Sequence, residues 1–320
     1  MGTQFGRHNR FTRRDEGPAH GGHSNRSIPA GLIYPEVMGK SYAPSAVHTL
    51  NDGTTLPLVG FGTYLLNGTA GVEVMKSAVA QGYQLLDSAF NYENEGALGE
   101  AVRKCGVPRE DLRIVSKLPG RHHDYDQARY TIEESVYRAG LDYFDMYLIH
   151  WPNPRVNKYV EAWRALIDAK DRGLVRSIGV CNFLPDHLER IIGETAVVPS
   201  VNQVELHPYF PQTKLRAVHE ELGILTESWS PLGRASALLS DPVVDSIATT
   251  HHRTIPQVIL RWHLQLGALP LPKSAHAQRQ SENLELFDFT LTDDEMARIT
   301  DLGRPDGRTY DQDPAVFEEF

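Results

Sequence analysis

The feature that most constrains this chain is an alternation: between residues 58 and 272, eight short apolar runs are separated by amphipathic stretches. The runs are Leu58–Phe61, Leu85–Ser88, Ile114–Lys117, Met146–His150, Ser177–Val180, Val201–Glu205, Leu225–Trp229 and Ala268–Pro272. Between them, Gly71–Gln81, Gln127–Ala139, Lys158–Arg172, Gln212–Leu222 and Pro256–Leu266 carry apolar residues at helical spacing. A strand that is apolar throughout has both faces covered, as in a parallel sheet flanked by helices. Eight such units in about 270 residues match the count and length of a (β/α)8 barrel. A doubly wound open sheet is the competing arrangement. Ahead of the first unit, His48-Thr49-Leu50, Asn51-Asp52-Gly53 and Thr54–Leu58 predict strand, turn and strand, because Asp-Gly suits the positive-φ positions of a hairpin.

No linker divides residues 45–320, which read as one barrel domain. Residues 1–44 are rich in Gly, His, Asn and Arg and read as a disordered basic tail. Residues 1–30 hold five arginines against two acids, yet the whole chain carries −9, so the body is acidic. That balance weighs against nucleic acid as a partner. Two cysteines, Cys105 and Cys181, exclude a disulfide framework and a four-cysteine zinc site. No apolar run is long enough to span a membrane or to serve as a secretory signal. A cytoplasmic monomer acting on a small molecule is expected.

Polar residues recur where the runs end. Asp87, Lys117 and His150 close three successive runs, and Asn182 and Glu205 follow on the next two. An ionisable group there is costly to bury unless it faces a site, and barrel active sites are built at those strand ends. Several other motifs fail. Gly60-Phe61-Gly62-Thr63-Tyr64-Leu65 lacks the third glycine of a dinucleotide fingerprint, and His219-Glu220 has no second histidine four residues on. The pairs His122-His123 and His251-His252 have no ligand-spaced partners and read as solvated loop residues. No metal site is supported.

Five ordered stretches then carry a resemblance. They are Gly82-Tyr83-Gln84-Leu85-Leu86-Asp87-Ser88-Ala89-Phe90-Asn91-Tyr92-Glu93-Asn94-Glu95, Ile149-His150-Trp151-Pro152, Ile178-Gly179-Val180-Cys181-Asn182-Phe183, Ser230-Pro231-Leu232-Gly233 and Leu271-Pro272-Lys273-Ser274. Together they resemble the aldo-keto reductase family over residues 47 to about 300, and most of all its compact microbial members that act on diketogluconate. The resemblance implies a (β/α)8 barrel that reduces aldehydes and ketones with NADPH, Tyr92 donating the proton and Asp87, Lys117 and His150 supporting it. The chemistry asks for such groups. A hydride arriving at carbon drives negative charge onto the carbonyl oxygen, which needs a proton or a donor. A cation beside a tyrosine is expected to lower its pKa, which suits Lys117, itself held by Asp87.

The same resemblance assigns Lys273, Ser274 and Arg279 to the 2′-phosphate of NADPH/NADP+ and Asn283 to its adenine. Asn182 and Gln203 would bind the carboxamide, with Trp229, Ser230 and Leu232 in the same site. Two departures stand out: Cys181 replaces the usual serine, and Trp229 the usual stacking tyrosine. Tyr64, Phe90 and Trp151 are expected to wall the substrate site. The short stretch Pro152–Asn157 predicts an open mouth, while the chain after Gly303, with Arg304, Arg308 and Tyr310, is not placed by pattern. Sugar-derived ketones, 2-oxoaldehydes and α-keto esters are the candidate substrates. A non-catalytic nucleotide sensor or interaction protein on the same barrel is the alternative, weighed down by the presence of all four catalytic types.

If residues 1–44 make no part of the barrel, their removal leaves the thermal midpoint and the activity intact. A fall of several degrees in a melting experiment would show that they pack on it.

Overall fold

Period two along a strand decides which residues face inward, and a closed sheet turns those positions into a single shared interior. The computed structural model describes residues 46–320 apart from Ser236 and Asp311, so the expected tail lies outside the described residues. β1 (Val47–Thr49) and β2 (Thr55–Pro57) pair antiparallel around a turn in which Gly53 takes φ +85°. Eight parallel strands follow in chain order: β3 (Phe61–Gly62), β4 (Leu85–Asp87), β5 (Arg113–Leu118), β6 (Phe144–Ile149), β7 (Val175–Cys181), β8 (Val201–Glu205), β9 (Leu225–Trp229) and β10 (Leu269–Pro270).

The two outer members of that series meet. The N–H of Gly60 donates to Pro270 O and that of Gly62 to Pro272 O, each at 3.1 Å. These bonds close a (β/α)8 barrel and remove the open-sheet alternative. They also explain the glycines that begin like a nucleotide fingerprint. A Cβ on Gly60 would lie 2.5 Å from both Leu271 Cδ2 and Leu85 Cδ2, and one on Gly62 3.3 Å from Leu271 O. The first strand accordingly sits at Phe61–Gly62, later than the expected Leu58–Phe61.

The helices are α1 (Gly68–Gln81), α2 (Glu95–Lys104), α3 (Tyr125–Ala139), α4 (Tyr159–Asp171), α5 (Pro185–Thr195), α6 (Thr213–Leu222), α7 (Pro242–His251), α8 (Ile255–Gln265), α9 (Ala277–Glu282) and α10 (Asp293–Thr300). The five helical stretches expected from spacing are α1, α3, α4, α6 and α8, with ends moved by up to three residues. Among the described residues no helix is long and apolar enough to cross a membrane.

Alternate strand residues point outward: Ile114, Leu118, Tyr147 and Ile149 join Ile132, Trp163 and Leu166 of the helices in one buried cluster. The others point inward, where Leu85, Val115, Met146, Leu148, Val201, Leu269 and Leu271 fill the barrel, and Leu50 and Leu56 of the hairpin join them. One inward step further along five of the strands the residues become polar: Leu85 gives way to Asp87, Val115 to Lys117, Leu148 to His150, Val201 to Gln203, and Leu225 to Glu227. The site is the polar top of the barrel's own filling.

Candidate active site

Lys117 has no solvent exposure, and its Nζ donates to Asp87 Oδ2 and to Ser88 O, both at 2.6 Å. Burial, the largest influence, favours the neutral amine, but Asp87 first, with Tyr92 and Cys181, more than offsets it, and the ammonium pKa stands above the ordinary lysine value. The other oxygen of Asp87 accepts from Gln203 Nε2 at 2.9 Å. The same nitrogen donates to Glu227 Oε2 at 3.0 Å, so one amide bridges two buried acids.

Tyr92 ends a short 3-10 turn, Phe90–Tyr92, that leaves β4 and is tied down around its base. Ser88 Oγ donates to Asn94 Oδ1 at 2.6 Å, Asn94 Nδ2 to Thr63 O at 2.8 Å, and Asn67 Nδ2 to Tyr92 O at 2.8 Å. The Tyr92 ring then lies 5.2 Å from Lys117 Nζ and 5.9 Å from the His150 ring. The expected fall in its pKa does not occur. Burial pushes the hydroxyl up, Lys117 pulls it down, and the Asp87 carboxylate adds to the rise, leaving it at about 12. Tyr92 is therefore a protonated acid at neutral pH, with a cation beneath it to receive the charge it would develop.

His150 follows β6, and its Nδ1 lies 2.6 Å from Glu319 Oε1. Glu319 arrives on the 313–320 segment, which crosses the mouth of the barrel. Burial would raise its carboxyl, but His150 and hydrogen bonds from Gly120 N–H and Asn91 hold it at about 2. Phe317 of the same segment lies 4.5 Å from Trp151 between ring centroids. The mouth is thus covered where the short 152–157 loop suggested an opening. Earlier in this return path, Arg304 and Arg308 stack on Tyr209 and Phe210, Thr309 N–H donates to Glu205 at 2.7 Å, and Arg234 bonds Tyr310. Glu205 anchors this segment to the barrel rim.

The remaining expected residues separate into two groups. Asn182 holds φ +62°, donates to His150 O at 3.0 Å and accepts from Trp229 Nε1 at 2.8 Å, which fixes the indole at the end of β9. Ser230, also at positive φ, accepts from Arg234 Nε at 3.1 Å, and Leu232 packs against the clusters behind the sheet. Beyond β10, Lys273 and Arg279 are exposed and make no ion pair among the described residues, while Ser274 and Asn283 are buried beside α9. Tyr64 is exposed and meets Tyr92 at 5.1 Å, and Trp151 is buried between Trp229 and Phe317. One of these side chains is engaged by neighbours outside the cluster. Phe90 packs under the Arg138 guanidinium, 3.9 Å away, and beside His122, so it belongs to the loop's packing against α3. Cys181, the register partner of Gln203, is wholly buried at the top of the barrel filling, close enough to Lys117 and Asp87 to feel their charges. Nor are all the paired histidines solvated: His123 is buried, and His251 pairs with Glu295 at 2.9 Å.

Comparison with known proteins agrees with this geometry. The sequence model of the Aldo/keto reductase family matches residues 59–304. The chain belongs to the aldo/keto reductase family. The 2,5-diketo-D-gluconic acid reductase B of Corynebacterium sp. (strain SHS752001) is 52% identical over 272 residues, 85% of this chain and 98% of that protein. Morphine 6-dehydrogenase of Pseudomonas putida is 40% identical over 86% of this chain and 98% of its own length. Among solved structures, a variant of Gox0644 in complex with NADPH has a TM-score of 0.82 at 41% identity, covering 87% of this chain and 100% of that one. The Bombyx mori aldo-keto reductase in complex with NADP has a TM-score of 0.79 at 32% identity, covering 86% and 98%.

Sequence reasoning missed two acids of this aldo-keto reductase. Glu319 gave no signal, since only the folded return of the chain brings it to His150. Glu227 had one: it occupies an inward position in the run Leu225–Trp229, two residues after Leu225. Burial first, and then the Asp87 carboxylate, push Glu227 up to about 8, and its Oε1 has no hydrogen-bond partner. In the unfolded chain it ionises near 4.5. Between those values the unfolded state alone releases the proton, so the stability linked to Glu227 falls as pH rises through that window, by at most about 1.4 kcal/mol per unit. Glu227→Gln should flatten the decline in thermal midpoint between about pH 5 and 8. Parallel profiles for variant and wild type would show that Glu227 ionises normally.

Proposed function

We propose that this aldo-keto reductase reduces small aldehydes and ketones to alcohols with NADPH, Tyr92 supplying the proton. One observation carries the reading: a fully buried ammonium, bound by Asp87 at 2.6 Å, lies beneath the ring of a protonated tyrosine beside a histidine. A cation is costly to bury, and here it faces the one phenol that would gain from it.

The residues fit the cofactor bound in the related structures. Both N–H groups of Gln203 are committed to Asp87 and Glu227, so its carbonyl oxygen is left as an acceptor. Asn182 retains one N–H beyond its bond to His150 O. Trp229, tied to Asn182, offers a flat face at the strand end. Lys273 and Arg279 are unpaired cations of the type that suits a phosphate dianion, with Ser274 between them in sequence. NADPH, when bound, supplies the hydride. Tyr92 gives its proton to the carbonyl oxygen as charge builds there, and Lys117 stabilises the resulting phenolate. Asp87 keeps Lys117 charged and aimed. His150 orients the carbonyl, while Trp151, Trp229 and Phe317 exclude water from that side. The named relatives act on a diketo sugar acid and on morphine, so relatedness alone does not select the substrate among sugar ketones, 2-oxoaldehydes and keto esters.

Tyr92→Phe keeps the shape and removes the proton, and should lower turnover of a generic aldehyde roughly 10²–10⁴-fold with NADPH affinity nearly unchanged. A variant keeping more than half the wild-type rate would remove Tyr92 from the mechanism. Arg279→Ala should weaken NADPH binding about ten- to a hundredfold, by loss of a charge-assisted contact, and hardly move NADH. Titration of both cofactors at two ionic strengths checks this, since the contact is screened by salt. Equal losses for the two cofactors would mean that Arg279 does not read the 2′-phosphate.

A further inference from the structure

A carboxylate is built into the wall of the substrate site. The 313–320 segment returns over the strand ends, and Phe317 docks on Trp151. Glu319 N–H then donates to Asn153 Oδ1 at 3.1 Å, and Glu319 O accepts from Asn153 Nδ2 at 2.8 Å, with Asn153 itself at φ +46°. This clamp aims the side chain inward. Its carboxylate accepts from Asn91 Nδ2 at 2.7 Å and Gly120 N–H at 2.8 Å, and touches His150 Nδ1 at 2.6 Å. Those partners lie on the loops after β4, β5 and β6, the loops that also carry Tyr92 and His150. The side chain is 12% exposed, so it is fixed in place yet still borders the mouth.

The group in contact that can offset this charge is His150, and only when it is protonated. Among the described residues no lysine or arginine pairs with Glu319, and Lys117 is already matched by Asp87. On the loop after β5, His123 is kept neutral by burial, and Arg121 bonds Asn91 Oδ1 at 2.5 Å and reaches Glu319 only through that amide. Glu319 is ionised across the working pH range, and its field contributes to the raised pKa of Tyr92.

We propose that Glu319 is a specificity-determining residue, its fixed negative charge beside His150 rejecting carboxylate-bearing carbonyl compounds and selecting uncharged ones such as keto esters, 2-oxoaldehydes and neutral sugar ketones. The inference rests on the carbonyl-reductase reading above and names its substrate class. Two unit charges about 6 Å apart in a partly buried site repel enough to weaken an anion about 10- to 100-fold, after allowance for screening.

The test compares the full chain with Glu319→Gln, which keeps size and removes charge. Ethyl pyruvate and pyruvate share the reacting ketone and differ in charge. The wild type should favour the ester, and in the variant the ester-to-acid ratio of kcat/KM should fall about 10- to 100-fold, mostly through KM for pyruvate. Calorimetric binding of benzoate and benzamide gives a second readout that needs no turnover: benzoate should tighten about tenfold or more in the variant, benzamide less than about twofold. If the wild type reduces neither pyruvate compound, the carbonyl-reductase reading fails, and the benzoate comparison still decides the charge filter. Unchanged ratios, or equal gains for charged and neutral members of each pair, overturn the proposal and make Glu319 a clamp or a steric cover. Should Glu319→Gln not fold, Glu319→Ala removes the same charge and must shift the ratios the same way.

Discussion

A lysine ammonium with no access to water is the interaction on which the rest of this site depends. Asp87, in contact with it, is the main group that keeps Lys117 charged, and removing one member of such a buried pair typically destabilises a protein by about 3–5 kcal/mol. Asp87 is in turn fixed by Gln203, and Gln203 by Glu227, which is protonated at neutral pH and so adds no second negative charge. The interior therefore holds one positive and one negative group in contact, with an amide and a neutral acid behind them. Tyr92 sits on top of that arrangement. Its own burial keeps it protonated, and under the proposed mechanism the cation beneath would stabilise it once the proton has left.

The barrel makes this arrangement possible with little special apparatus. Inward positions recur every second residue, and the closed sheet brings those of neighbouring strands to one height. The same register that fills the lower barrel with Leu85, Val115, Met146 and Leu148 delivers Asp87, Lys117 and His150 at the upper end. Closure itself depends on Gly60 and Gly62, where a side chain would meet Leu271 of the last strand's extension.

Much of this was legible in the amino-acid order because strand register is local information. The eight apolar runs, the hairpin ahead of them, and the ionisable residues ending three successive runs are all short-range patterns, and each has its counterpart in the structure. The family resemblance added roles for Tyr92 and for Lys273 to Asn283 that spacing alone does not supply. What was not legible depended on tertiary return or on net electrostatics. Glu319 lies far along the chain from the loops it joins. The direction of the Tyr92 shift required weighing burial against Lys117, and burial wins. Phe90 begins the turn that carries Tyr92, yet its ring is taken by Arg138 of α3. Glu227 was readable in principle, as an acid in an inward position, but its importance appears only with the Gln203 bridge.

The central claim is that Lys117 acts on the reaction through Tyr92 and not independently of it. A double-mutant cycle on kcat, with Lys117→Met, Tyr92→Phe and the pair, each shown to bind NADPH, tests this most directly. The account predicts that the double variant is no more than about threefold slower than the slower single variant, since Lys117 has nothing left to assist once the phenol is gone. Losses that multiply would mean the two side chains contribute separately, and the buried ion pair would then have no part in the proton transfer.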